Sequence, residues 1–146
     1  VAYSTEGVWV AVGANGTLLS STDGSTWTAR TSGTTAALKS VSAIASTTNG
    51  VTTYTIVAAG ANGTLLTNTN SGVTWTVQTL GSADLNAVFA STRFVATGVG
   101  GAIYTSDDAL TWTLRSSPSA ATMYGLIRAN NMYTAVGAGG SSIYSY

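Results

Sequence analysis

The heptapeptide Gly-Ala-Asn-Gly-Thr-Leu-Leu occurs at residues 13–19 and again at residues 60–66. Seven identical residues mean either one motif used twice or a chain built from copies of one unit, so internal repeats come first. Aligned on the leading glycine, Trp9-Val10-Ala11-Val12 precedes Gly13 and Ile56-Val57-Ala58-Ala59 precedes Gly60. Two further copies follow. Phe94-Val95-Ala96-Thr97 leads into Gly98, and Tyr133-Thr134-Ala135-Val136 leads into Gly137. β-Branched and aromatic residues before the glycine suit a strand. The Asn-Gly or Gly-Gly pair after it supplies the positive φ angles of a tight hairpin turn. The fourth copy, Gly139-Gly140-Ser141-Ser142-Ile143-Tyr144, reads as carrying one extra residue.

Each of the first three hairpins is followed by a polar turn and Thr-Trp-Thr, with the tryptophans at Trp27, Trp75 and Trp112. Each hairpin is preceded by a further apolar stretch, at residues 38–45, 85–90 and 123–129, with Val1-Ala2-Tyr3 as the end of the same strand in the first copy. One unit is therefore four short strands. The second is lengthened by an extension over residues 47–52. Tandem four-stranded units of about 40 residues are the pattern of β-propeller blades. Val8 to Val12 is apolar on both faces, as a strand covered on both sides must be. Ala11, Ala58, Ala96 and Ala135 then fall where neighbouring blades approach most closely. The expected fold is all-β: a single propeller domain over residues 1–146, with blades at about 1–37, 38–84, 85–122 and 123–146, the last incomplete. A closed four-bladed ring is the favoured arrangement, and part of a larger ring the alternative. The chain begins with Val1 rather than Met, as expected of a processed product or an excised segment.

Ser21-Thr22-Asp23-Gly24-Ser25-Thr26-Trp27 resembles the Asp-box of sialidase-type (BNR) repeats, written S-x-D-x-G-x-T-W. The first and third copies are one residue shorter than that pattern, and the second has Asn68 and Asn70 in place of Ser and Asp. The combined run from Trp9 to Thr28 is also similar to the repeats of Ycf48-like photosystem II assembly factors. The resemblance spans nearly the whole chain and implies the propeller fold, with Asp23, Asn70 and Asp108 as turn residues rather than ligands for calcium or sugar. The three box tryptophans are expected to be buried packing residues that bind nothing.

Function is constrained mainly by what is missing. Charged residues are 7% of the chain and the formal net charge is zero, against about 25% charged in ordinary soluble domains. No basic field exists to hold a nucleic acid. Without Cys or His, thiolate chemistry, the commonest general base and the commonest metal ligand are all absent. No cofactor or metal is expected, and no apolar run approaches the ~20 residues of a membrane span. The resembled sialidases use an arginine cluster, a Tyr–Glu pair and an acid/base Asp. Here Arg30 and Arg115 fall on outer strands, Arg93 in a turn and Arg128 on an inner strand, and the sole Glu is Glu6, in a turn. Two carboxylates cannot be set around one glycosidic bond from this set, so the chain reads as no enzyme. Three functions remain. The leading one is a non-catalytic structural or interaction module of an extracellular or virion or phage surface assembly, whose partners are other protein subunits. The second is a glycan-binding, lectin-like propeller using aromatics such as Trp9, Tyr54 and Tyr133, although their strand positions favour packing. The third is an assembly factor of the Ycf48-like type. Asn15 and Asn62 each head an Asn-Gly-Thr sequon, which the hairpin turn requires in any case.

Overall fold

Four antiparallel sheets follow one another along the chain in a computed structural model, which describes the backbone of residues 2 and 3 and all of residues 7–70 and 73–146. The first sheet comprises β1 (Ala2–Tyr3), β2 (Trp9–Val12), β3 (Leu18–Ser21) and β4 (Thr28–Ala29). The second comprises β5 (Leu38–Thr48), β6 (Val51–Gly60), β7 (Thr64–Asn68) and β8 (Thr76–Thr79). The third comprises β9 (Leu85–Phe89), β10 (Phe94–Gly98), β11 (Ile103–Ser106) and β12 (Thr113–Leu114), and the fourth β13 (Met123–Ala129), β14 (Met132–Gly137) and β15 (Ser142–Ser145). Strand order within every sheet is sequence order, as consecutive tight hairpins dictate. The extension of the second unit is the tip of the long β5–β6 hairpin, turned by Asn49 and Gly50, both at positive φ.

The repeated glycines have two separate reasons. After the second strand of each sheet, a two-residue turn at positive φ (Asn15-Gly16, Asn62-Gly63, Gly100-Gly101, Gly139-Gly140) closes the hairpin. The second residue of the turn also lies under the chain leaving the sheet. A Cβ on Gly16 would stand 1.9 Å from the Thr34 carbonyl oxygen, and one on Gly101 would stand 1.9 Å from that of Ser119. The glycine that starts the motif is extended, so its φ demands nothing. It is required because the chain entering the sheet crosses it: a Cβ on Gly98 would meet the Asp84 oxygen at 1.9 Å, and one on Gly60 the Ala37 oxygen at 2.3 Å. Backbone hydrogen bonds tie the same joint. Ala61 N donates to Ala37 O, Val99 N to Asp84 O and Ala138 N to Thr122 O, at 2.8–2.9 Å. The fourth turn has the same length as the others, with Gly137 N donating to Ser141 O as Gly13 N donates to Thr17 O. The extra residue read in the fourth copy is therefore not an insertion. Ser142 takes the place of Leu18, Ile143 that of Leu19, and Ser145 pairs with Tyr133 as Ser21 pairs with Trp9.

Successive sheets pack face to face. Val10 and Leu18 of the first sheet meet Ile56, Ala58 and Leu66 of the second. Val57, Ala59 and Leu65, on the opposite face of the second, meet Phe94 and Ala96 of the third. β6 is thus covered on both sides, and its apolar run is explained by two neighbours. Ala58, Ala96 and Ala135 are all buried at these contacts. Each fully buried Leu or Ile here is worth roughly 1.5–3 kcal/mol. The innermost strands are joined by side chains rather than by a ladder. Ser40 and Ser42 of β5 accept from the Val88 and Ala90 N–H groups of the third unit at 3.1 and 3.0 Å, and Asn86 Nδ2 of β9 donates to Met123 O of β13 at 3.0 Å.

The expected four-bladed closure does not occur. β1 packs on β5, β5 on β9 and β9 on β13, but among the described residues no strand of the fourth sheet packs extensively on the first. The faces that closure would cover are open. Val136 and Tyr144 on the far face of the fourth sheet are 51% and 71% exposed. The four sheets form an open arc, a partial ring. The large side chains wedged between neighbours set the angle between sheets, and four such wedges leave the ends apart.

If the joint carries the fold, the cost of a methyl group depends on which chain crosses the glycine. Gly98→Ala, at an unstrained φ but beneath the Asp84 carbonyl, should cost at least ~3 kcal/mol. Gly140→Ala, at φ +72° with nothing within 4 Å, should cost only the left-handed penalty of about 1–2 kcal/mol. Urea denaturation of the two variants measures the difference, and equal losses would refute the crossing-chain explanation.

Candidate functional site

Two kinds of feature compete for a functional role: the box turns at the outer rim and a cleft between the third and fourth sheets. In the first box, Asp23 Oδ1 accepts from Ser25 N at 2.8 Å, from Thr26 N at 2.7 Å and from the Ser21 hydroxyl at 2.9 Å. The third box repeats this. Asp108 Oδ1 accepts from Leu110 N at 2.8 Å, Thr111 N at 2.7 Å and Ser106 Oγ at 2.9 Å. In the second, Asn70 Oδ1 accepts from Thr74 N at 3.0 Å and from Asn68 Nδ2 at 2.6 Å, while Asn68 Nδ2 also donates to Thr74 O. Ser71 and Gly72 of that turn lie outside the described residues. An amide replaces the carboxylate there because one oxygen acceptor is what the turn needs. The N–H donors of Thr26 and Ser25, then the Ser21 hydroxyl, hold the Asp23 carboxyl down to about 2. Thr111, Leu110 and Ser106 lower that of Asp108 in the same way.

The tryptophans differ from the expectation of burial. Trp112 is half-buried, donates Nε1–H to Ala109 O at 3.1 Å and meets Phe94 edge-on at 6.5 Å. Trp75 is half-buried against the cluster between the first and second sheets. Trp27 is 36% exposed, although its Nε1–H reaches Gly24 O at 3.2 Å. The position explains the series. Each box tryptophan covers the face its sheet turns to the preceding one, and among the described residues no sheet precedes the first.

The described carboxylates are all engaged. Asp84 receives Lys39 Nζ at 2.8 Å and the Asn62 N–H at 2.9 Å, which lower its pKa and bridge the second and third units. Asp107 receives Arg93 Nε at 2.7 Å on the open surface, where such a pair is worth little. Among the described residues no group of three or more His, Cys, Asp or Glu could hold a metal ion, and no helix is long and apolar enough to cross a membrane. Glu6 lies outside the described residues. Asn15 and Asn62 are both exposed at the hairpin tips, at φ 53° and 56°. Of the aromatics weighed for sugar stacking, Tyr54 is buried. The Tyr133 hydroxyl bonds Ser91 Oγ at 2.6 Å and Arg93 O at 2.9 Å, joining the third and fourth units, and the Arg128 guanidinium lies 5.3 Å from its ring centre.

The cleft is the feature sequence reasoning missed. It encloses about 340 Å³ between the third and fourth sheets. Val95, Thr97, Thr105 and Arg115 line one wall and Tyr133, Ala135, Ile143 and Tyr146 the other. The corresponding spaces between the first three sheets are filled by buried side chains. Arg30 and Arg115 sit just past β4 and β12, and each donates Nε–H at 2.8 Å to a hydroxyl of the adjacent strand, Ser20 and Thr105. Only the second of these faces the cleft.

No protein-family profile matches the chain, and no curated protein does. Solved structures do. A structure described as YCF48 bound to D1 peptide superposes with a TM-score of 0.73 at 23% identity, over 99% of this chain and 48% of the other. YCF48 from Cyanidioschyzon merolae superposes with a TM-score of 0.66 at 17% identity, over 98% of this chain and 53% of the other. The chain thus spans about half the length of the solved structures it matches, and the likeness establishes a β-propeller-like fold.

The box carboxylates make a pH prediction. A carboxyl lowered on folding stabilises above its unfolded pKa, and the contribution is lost as pH falls through the folded value. The melting temperature should hold steady above about pH 5 and fall from about pH 4 toward pH 2. The double variant Asp23→Asn, Asp108→Asn keeps the oxygen acceptor, as Asn70 does, and should show a shallower acid decline. Thermal melts across that range check it, and identical slopes would show that the two carboxylates contribute nothing.

Proposed function

We propose that this chain is a non-catalytic interaction module, an arc of a larger propeller that binds polypeptide, of the Ycf48-like assembly-factor type. The observation that carries the reading is the near-complete superposition on YCF48, one structure of which holds a D1 peptide. The open cleft adds to it, because its walls offer aromatic rings, hydroxyls and one guanidinium, the mixture that recognises peptide through side-chain stacking and backbone hydrogen bonds. The partner of this chain is a protein segment. A virion or extracellular setting rests on composition alone, and the superposition favours the assembly-factor alternative over it. The lectin reading loses support because Tyr54 and Tyr133 are engaged in packing and hydrogen bonding.

Probing the 146-residue protein against a peptide array and a glycan array in parallel separates these readings. Saturable binding to a subset of peptides, with no glycan above background, is the expected result. Selective glycan binding without peptide binding would replace the interaction reading with the lectin one.

A further inference from the structure

The contacts between the second and third sheets show what the cleft is built to hold. Thr67 Oγ1 of β7 donates to Ala109 O at 2.9 Å, and Gln78 Nε2 of β8 donates to Leu110 O at 2.8 Å. The second sheet thereby grips two consecutive backbone carbonyls in the box turn of the third. Ala109, between them, is fully buried at φ +61°. Thr105 stands in the third sheet where Thr67 stands in the second, opposite Val95 as Thr67 is opposite Val57. Arg115 follows Trp112 by three residues, as Gln78 follows Trp75. Thr105 and Arg115 both line the cleft, where a next box turn would sit. Arg115 spends its Nε–H on Thr105, and among the described residues no carboxylate pairs with it. Deeper in the same wall, Thr97 is 1% exposed and its hydroxyl has no hydrogen-bond partner, a buried polar group that calls for one.

The fourth sheet supplies the second half of the site. In the first three sheets the third strand is paired on its outer side with β4, β8 or β12. β15 has no such neighbour among the described residues and presents an open edge. We propose that the cleft and the β15 edge form one receptor for a peptide of box type supplied by a separate polypeptide. Its turn presents two carbonyls around a small residue to Arg115 and Thr105, and the strand after the turn adds to β15 by β-augmentation. An aromatic residue after the turn lies on Tyr133, which stands where Phe94 meets Trp112 in the third sheet. The inference rests on the reading of the chain as a peptide-binding module and names the site and the ligand chemistry.

The probe is a synthetic peptide with the sequence of residues 106–115, Ser-Asp-Asp-Ala-Leu-Thr-Trp-Thr-Leu-Arg, titrated calorimetrically into the 146-residue protein, with amide hydrogen exchange followed in the complex. A one-to-one complex that slows exchange in β15 is expected. Arg115→Ala should weaken it about tenfold or more, the loss of a charge-assisted hydrogen bond. Arg115→Gln should bind like the parent protein, because Gln78 does this work in the second sheet. A peptide carrying Ala109→Leu should bind at least about tenfold more weakly, since the seat accepts only a small residue. Arg115 is exposed, and circular dichroism of both variants confirms that they fold. No binding at millimolar peptide overturns the proposal, as does binding that survives Arg115→Ala without protecting β15. If the array binds peptides while this titration fails, the site assignment is wrong and the interaction reading stands. If both fail, both are wrong.

Discussion

Everything in this architecture depends on a close approach of backbone to backbone. At each hub-side turn the chain entering a sheet and the chain leaving it cross the hairpin within the space a methyl group would need. The crossing lets one short turn fix two linkers, and the linkers fix the relative position of neighbouring sheets. Sheets of two to five residues per outer strand cannot bury enough surface alone. They are stable because the crossing holds each against the next. The asymmetry at the ends follows directly. Gly13 has no incoming linker pressing on it within 4 Å and Gly140 has no outgoing one, yet both glycines are present, because the turn itself still requires the second and the repeat retains the first.

Between sheets, the energetics are those of a layered core with a direction. One face of each sheet, represented by Ile56, Ala58 and Leu66, turns to its predecessor, and the other, represented by Val57, Ala59 and Leu65, turns to its successor. The box tryptophan belongs to the first of these faces, which is why exposure of Trp27 and exposure of Val136 mark the two ends of one arc. The box turn contributes in a second way. It closes its own hydrogen bonds through Asp or Asn and then offers carbonyls outward to the sheet before it. The contacts that stabilise the interior of the arc are the same contacts left unused beside the fourth sheet.

Much of this was legible in the sequence, because turn chemistry is local. Asn-Gly and Gly-Gly pairs announce positive φ, and the residues before them announce strands, so four sheets with their strand order follow from residue types alone. The fourth turn was misread by one residue because Ser141 and Ser142 carry no strand signal, and only pairing shows that Ser145 stands where Ser21 does. Ring closure was not legible at all. It depends on the angle between packed sheets, which is set by contacts between residues about 40 positions apart, and no repeat count contains it. The expectation of buried tryptophans failed for a related reason: Trp27 has the same sequence context as Trp112 and lacks only a neighbouring sheet. The candidate site lay furthest from view. Gln78 and Arg115 look unrelated until their equivalent positions and the carbonyls held by Gln78 are known.

The open arc is tested most directly by a disulfide trap in a chain that has no cysteine of its own. Ala11→Cys lies on the leading face of the first sheet and Val136→Cys on the trailing face of the fourth, the two faces that a closed four-bladed ring would press together. The double variant is oxidised at low protein concentration and its products separated without reductant. An open arc yields monomer with both thiols free, or cross-links between molecules. Quantitative formation of a disulfide within one chain would mean that the first and fourth sheets meet, and the open arc would be wrong.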